Sequence, residues 1–266
     1  MLKFSFQPHD WALVTGASSG IGREFCLHLA EAGANLVIVA RRADLLRSLA
    51  TELTARHGIK TLIIPEDLCT DLASQRIHQL VDDAGINIKL LINNAAVGRW
   101  GHFENTEPEV YARMIQLNIM AITYMCAEFL PHLSSNPRSA IINVSSQAAF
   151  QPVPYMAVYA ATKAYVQSFS LALYEEWRSR GIHVQTLIPG PSATEFDAKA
   201  GAYESTVVER HSPSEAVHAS LSHLAGDQPV VSSAKGIWKQ RLFAGLFPSK
   251  MVVREVAKMF KPPEIK

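Results

Sequence analysis

The sequence predicts an α/β fold: one doubly wound parallel sheet flanked by helices. Three observations predict it. Short apolar, β-branched runs alternate with amphipathic stretches of helical period along most of the chain. The first apolar run enters a glycine-rich turn that opens a helix. The residues able to do chemistry gather just past the strand ends, where such sheets bind ligands. The chain has 266 residues, 48% of them hydrophobic, enough for a large core.

Each element can be justified in order. Trp11–Val14 is an apolar strand leading into Thr15-Gly16-Ala17-Ser18-Ser19-Gly20-Ile21-Gly22, and Phe25, Leu27, Leu29 and Ala30 give the next helix its apolar face before Gly33. Leu36–Ala40 is the second strand. Asp44–His57 is a helix with leucines at 45, 46, 49 and 53. Thr61–Pro65 and Leu72–Ala84 form the next strand and helix. Ile88–Ile92 then runs into Asn93-Asn94. One long helix is expected over Pro108–Leu130. Ala140–Val144 ends at Ser145-Ser146, Met156–Arg180 is helical, and Val184–Ile188 closes at Pro189-Gly190. Further on, Ser212 caps a helix with Pro213 at its first position and Glu215 at its third.

Within the 156–180 helix, Tyr159 and Lys163 stand four apart and share one face, with Ser146 thirteen residues upstream. A cation within roughly 4–6 Å favours an ionised phenol. The pair therefore points to proton transfer, with the lysine expected to lower the tyrosine pKa. The glycine turn points to a phosphate, because backbone N–H groups and the helix dipole at such a turn favour negative charge.

TGASSGIG, NNAA at 93–96, Asn118, Ser145-Ser146, YAATK and PGPSAT at 189–194 together resemble the short-chain dehydrogenase/reductase family, from about Trp11 to Thr194. The resemblance implies a Rossmann-like domain with a cofactor-binding and catalytic core at 11–194 and a substrate lid at 195–230; the residue pattern adds an amphipathic extension at 231–266, within a single domain spanning 1–266. It implies that Tyr159 donates the proton, Ser146 orients the carbonyl, Lys163 also binds the nicotinamide ribose, and Asn118 holds a relay water. Of the two adjacent serines, only Ser146 has the family's spacing to the tyrosine. For the cofactor it implies Gly16, Ser18, Ser19, Ile21 and Gly22 at the phosphates, and Asp67 and Leu68 at the adenine. Asn94 would steady the sheet, Ala95 would line the ribose, and Pro189 with Thr194 would hold the nicotinamide end. The family's usual NNAG is NNAA here, which would strain Ala96 if that backbone needs a positive φ.

Ala40 stands where NAD-dependent members carry an acid, and Arg41 and Arg42 follow. Arginine suits a 2′-phosphate, so NADP(H) is the expected cofactor, with Arg41 favoured as its ligand over Arg42. The expected function is reduction of a medium-sized, largely apolar ketone or aldehyde, ketoacyl or steroid-like. Phe196, Tyr203, Val207 and Val208 would wall its site. The alternative is a non-catalytic NADP(H) sensor or scaffold on the same fold. A homodimer or homotetramer is expected.

Net charge is +1 and the pI about 7.8, which gives no nucleic-acid footprint. Three widely spaced cysteines, Cys26, Cys69 and Cys126, suggest a reducing, cytoplasmic setting. The histidines show no ligand spacing that supports a metal site. No membrane span is expected. From Lys235 to Lys261, seven Lys/Arg against one Glu interleave with large apolar residues, and Pro248 divides the stretch into two helices. Such a tail can cover the substrate site, pack between subunits or make peripheral contact with an anionic membrane.

Overall fold

The computed structural model describes residues 7, 10–191, 194–201, 211–234 and 236–262. Seven strands form one sheet in the order β3-β2-β1-β4-β5-β6-β7, every pairing parallel. They are β1 (Trp11–Thr15), β2 (Asn35–Ala40), β3 (Thr61–Pro65), β4 (Ile88–Asn93), β5 (Ser139–Val144), β6 (Ile182–Ile188) and β7 (Val230–Ser232). The order reverses at β1, which lies between β2 and β4, so a crevice opens beyond the carboxyl ends of β1 and β4.

Side chains alternate between two cores. Ala12, Val14, Leu36, Ile38, Leu90, Ile92, Ala140 and Ile142 bury on one face; Leu13, Val37, Val39, Leu91 and Ile141 bury on the other. Burial on both faces is why the strands read as continuous apolar runs. The first face is covered by α1 (Gly20–Glu31), α2 (Ala43–His57) and a later helix, Pro213–His223. The second carries α3 (Ala73–Asp83), α5 (Ile122–Glu128), α6 (Leu130–Ser135) and α7 (Ala157–Arg178), with α4 (Pro108–Ile115) packed against α7. The expected Pro108–Leu130 helix is thus divided. A π-helical segment, Gln116–Ala121, joins α4 to α5, and α6 starts afresh with Pro131 in its first turn. Proline lacks an N–H and clashes with the preceding turn's carbonyl, which ends α5.

Beyond β6 come α8 (Glu195–Ala200) and α9 (Pro213–His223); Ser212 caps α9 by accepting the Ser214 N–H at 3.2 Å. The tail forms α10 (Ile237–Leu246) and α11 (Ser249–Phe260), separated at Pro248. Val252 and Val256 of α11 bury against Val153 and Ala160, with Phe243 and Phe260 alongside. Gln240 of α10 donates to the Gln147 carbonyl, 3.1 Å away. One face of the tail is therefore spent on its own chain, beside the start of α7. No helix among the described residues is long and apolar enough to cross a membrane.

Candidate active site

At the end of β1, Thr15 Oγ1 donates to the Ile92 carbonyl (3.2 Å) and accepts the N–H groups of Asn94 (3.0 Å) and Ala95 (3.1 Å). The Asn94 amide returns a bond to the Thr15 carbonyl at 2.9 Å. The two central strands are thereby tied where the crevice opens. The turn itself is drawn tight: a Cβ on Gly22 would stand 2.3 Å from the Gly16 carbonyl oxygen, so α1 rests directly on the turn. Gly16 has φ +67°, which suits only glycine there. Ser19 caps α1 without a side-chain cap bond, and no acid occupies the first turn. Its leading N–H groups and positive dipole end therefore suit an anion, and these residues fit a dinucleotide pyrophosphate. Ile21 is half-buried against the core beside the turn. Among the described residues the non-glycine positions with positive φ are Leu72, Arg138 and Tyr155 and not Ala96, so the alanine is accommodated without strain.

The two arginines after β2 behave differently. Arg42 Nη2 donates to Ser18 Oγ (3.1 Å) and Ser19 Oγ (2.7 Å), and its Nη1 donates to Glu195 Oε2 of α8 (3.1 Å). Arg41 is exposed, and its charge reaches Asp67. Burial raises the Asp67 carboxyl, but the Cys69 N–H, Arg113 and Arg41 together hold it below its usual range. Arg113 Nη2 lies 2.5 Å from Asp67 Oδ2. Leu68 is buried next to it.

β5 and α7 carry the remaining groups. Ser146 follows β5, accepts the Ala148 N–H at 3.2 Å, and hydrogen-bonds the Tyr159 hydroxyl. Ser145 turns the other way and donates to the Lys163 carbonyl at 2.9 Å, which leaves Ser146 as the serine facing the tyrosine. Lys163 is only 2% exposed; its Nζ donates to the Val144 carbonyl (2.8 Å) and lies 5.8 Å from the Tyr159 ring centroid. Asn118 is fully buried in the π-helical segment. Its side chain pairs with both backbone groups of Val97, at 3.0 and 2.9 Å, and donates to Thr162 Oγ1 at 3.0 Å. Thr162 in turn donates to the Tyr159 carbonyl at 2.8 Å. Asn118 and Tyr159 are thus coupled through a threonine that the sequence motifs do not single out.

One expectation is corrected. Burial pushes the Tyr159 phenol up to about 12, opposed by the Ser146 hydrogen bond and reinforced by the Asp197 charge. Burial also pulls the Lys163 ammonium down to about 8. Loss of water around both groups outweighs the attraction expected between them.

α8 lies across the mouth of this site. Thr194 caps it by accepting the Phe196 N–H (3.2 Å), and the Thr194 methyl packs over Gly20. The Phe196 ring centroid is 5.4 Å from that of Tyr159, and a Cβ on Gly98 would come within 2.6 Å of Phe196 Cζ. Trp100 donates its N–H to the Ala200 carbonyl at 2.9 Å and its indole N–H to the Phe260 carbonyl at 2.8 Å. Pro189 and Gly190 follow β6, Gly190 held by Ser233 Oγ at 3.1 Å. Phe103 stacks on Tyr111, its centroid 4.8 Å away. Tyr203, Val207 and Val208 lie outside the described residues. A cavity of about 510 Å³ lined by Phe150, Pro152, Ala157, Ala161 and Ala164 sits on the face of α7 opposite Tyr159 and Lys163, so it is distinct from this site. At the far end of the molecule, His78, Asp82 and His132 come together, a grouping invisible in the linear spacing of the histidines.

The short chain dehydrogenase family model matches residues 10–205. The very-long-chain 3-oxoacyl-CoA reductase of Homo sapiens is 33% identical over 193 residues, 70% of this chain and 61% of that protein. The 17-beta-hydroxysteroid dehydrogenase type 3 of Homo sapiens is 35% identical over 185 residues, 68% of this chain and 58% of that protein. The chain thus spans about three fifths of the length of these relatives. Among solved structures, a short-chain dehydrogenase from Sphingobium yanoikuyae in complex with NADPH superposes with a TM-score of 0.80 at 31% identity, over 90% of this chain and 97% of that one. The bulky-bulky ketone specific alcohol dehydrogenase from Comamonas testosteroni superposes with a TM-score of 0.76 at 27% identity, over 91% and 97%.

Proposed function

The chain belongs to the short chain dehydrogenase family, and from that premise we propose that it is an NADPH-dependent reductase of a medium-sized, largely apolar ketone or aldehyde. The observation that carries this reading is the Ser146–Tyr159–Lys163 cluster, its tyrosine and lysine buried and its serine half-buried, lying under the Phe196 ring. NADPH, when bound, supplies a hydride. Ser146 and Tyr159 offer hydroxyl donors to the carbonyl oxygen, where negative charge develops during reduction. The phenol, held protonated by burial, then gives its proton to that oxygen. Lys163 sets the local charge, while Asn118 and Thr162 fix the α7 backbone at Tyr159. Phe196, Trp100 and Gly98 exclude water and favour an apolar substrate.

A sensor that binds NADP(H) without turnover needs no hydrogen-bonded serine–tyrosine pair, so the cluster favours the enzyme. NADPH oxidation should be screened against ketoacyl thioesters, ketosteroids, aldehydes and diketones. Turnover of a ketoacyl thioester or ketosteroid is expected. Tight NADPH binding with no turnover of any class would select the sensor instead.

The same proposal extends to partners. The alanine-lined α7 face suits a second copy of this chain. Trp238, Leu242 and Leu246 recur at four-residue spacing along α10 with exposures of 63%, 51% and 71%, beside Lys239, and Lys250, Arg254 and Lys258 recur at the same spacing along α11. This pair of helices, with exposed apolar and basic side chains, suits an anionic lipid surface on the cytoplasmic side, from which an apolar substrate could be drawn. Sedimentation reads both. A dimer or tetramer mass is expected without lipid. Co-sedimentation is expected with phosphatidylcholine–phosphatidylserine vesicles, weakening at high salt, and binding to neither vesicles nor a second copy would remove this part of the proposal.

A further inference from the structure

We propose a second, non-catalytic site: a transition-metal site of the zinc class built by His78, Asp82 and His132 at the amino-terminal end of the sheet. The site of reduction lies beyond the carboxyl ends of the strands; this one lies beside Asn87 and Ile88, where β4 begins.

His78 and Asp82 are four apart on α3 and share a face, and His132 reaches them from α6. Asp82 Oδ1 is 3.0 Å from His132 Nε2, and Asp82 Oδ2 is 3.6 Å from His78 Nδ1. One ligand atom from each residue falls within 4.8 Å of the others. A tetrahedral zinc ion with bonds of about 2.0–2.2 Å holds its ligands roughly 3.3–3.6 Å apart. Small side-chain rotations would bring the three donors onto one ion.

The surroundings hold the donors in place. His132 is 8% exposed, and its ring is fixed through the nitrogen that does not face Asp82. Asn87 Oδ1 lies 3.2 Å and the Ile88 N–H nitrogen 3.4 Å from His132 Nδ1. The first neighbour accepts a proton and the second gives one. A metal at Nε2 selects the tautomer in which Nδ1–H donates to Asn87, the usual outer partner of a ligating histidine. Phe129 walls the site, its ring centroid 5.4 Å from that of His78 and 5.3 Å from that of His132. An open cavity of about 400 Å³, lined also by Pro131 and Ser135, leaves an approach path and room for a water in the fourth position. Two imidazoles and one carboxylate favour zinc, nickel, cobalt or copper over magnesium or calcium. An ion here would bridge α3 to α6 and stabilise the fold by binding only the native state.

Zinc chloride titrated into metal-free, full-length protein against a chromophoric chelator tests this. One equivalent should bind and raise Tm, and cobalt in its place should give a visible absorption band of nitrogen–oxygen ligation. His78→Ala removes a partly exposed imidazole, Asp82→Asn turns a partly exposed carboxylate into an amide, and both should leave NADPH binding unchanged. Each should weaken zinc by more than the roughly 10–100-fold that loss of an outer partner costs, and Asn87→Ala by about that amount. No saturable binding, or binding that both ligand variants retain, overturns the proposal.

Discussion

Tyr159→Phe should leave a folded protein that binds NADPH normally and reduces its substrate roughly 10²–10⁴-fold more slowly, the usual contribution of a general acid. The phenylalanine ring keeps the contact with Phe196 and fills the same buried volume, so packing is preserved. What disappears is the hydroxyl that bonds Ser146. Coenzyme fluorescence reads the binding and NADPH oxidation reads the rate. Activity within a few-fold of wild type would refute the assignment. The pH profile adds a second reading. With the phenol pushed to about 12, the acid form is fully present at neutral pH, which serves reduction. Oxidation of an alcohol needs the phenolate and should quicken as pH rises. Lys163, pulled to about 8, loses its charge above that pH, so reduction should be level below it and decline above.

How much of this was legible follows from physics that is local or not. The strands were legible because burial on both faces writes them as unbroken apolar runs, and Ala140–Val144, buried throughout, falls where the run predicts. The glycine turn and the Tyr159–Lys163 pair were legible because their geometry is fixed by short spacing. β7 was missed: three residues, Val230–Ser232, hold too little pattern to distinguish a strand from a loop. The π-helical segment was missed because the residues around Asn118 keep ordinary helical composition; the widening is paired with contacts to Val97, twenty-one residues away. α8 was read as part of a mobile cover, and its placement depends on Arg42–Glu195 and Phe196–Tyr159 contacts between distant segments. The tyrosine pKa was misjudged for the same reason. Spacing places a cation beside a phenol, but only the packed structure shows how completely both are removed from water.

The two arginines after β2 should separate in a mutational test, because the structure gives them different work. Arg42 is already engaged with Ser18, Ser19 and Glu195, so it supports the turn that meets any nicotinamide coenzyme and the helix that covers it. Arg42→Ala should weaken NADPH and NADH together. Arg41 is exposed at the strand end, with Asp67 as its charged neighbour, and under the proposed NADPH reading it would meet the one group that distinguishes the coenzymes, the 2′-phosphate. Arg41→Ala should therefore weaken NADPH selectively. A charge-assisted hydrogen bond contributes about 1.5–3 kcal/mol, and each 1.4 kcal/mol is tenfold, so one to two decades of preference are at stake. Titration of each variant with both coenzymes is sufficient. A selective loss in Arg42→Ala with Arg41→Ala unchanged would exchange the two roles, and equal losses of both coenzymes in both variants would remove the basis for NADPH preference.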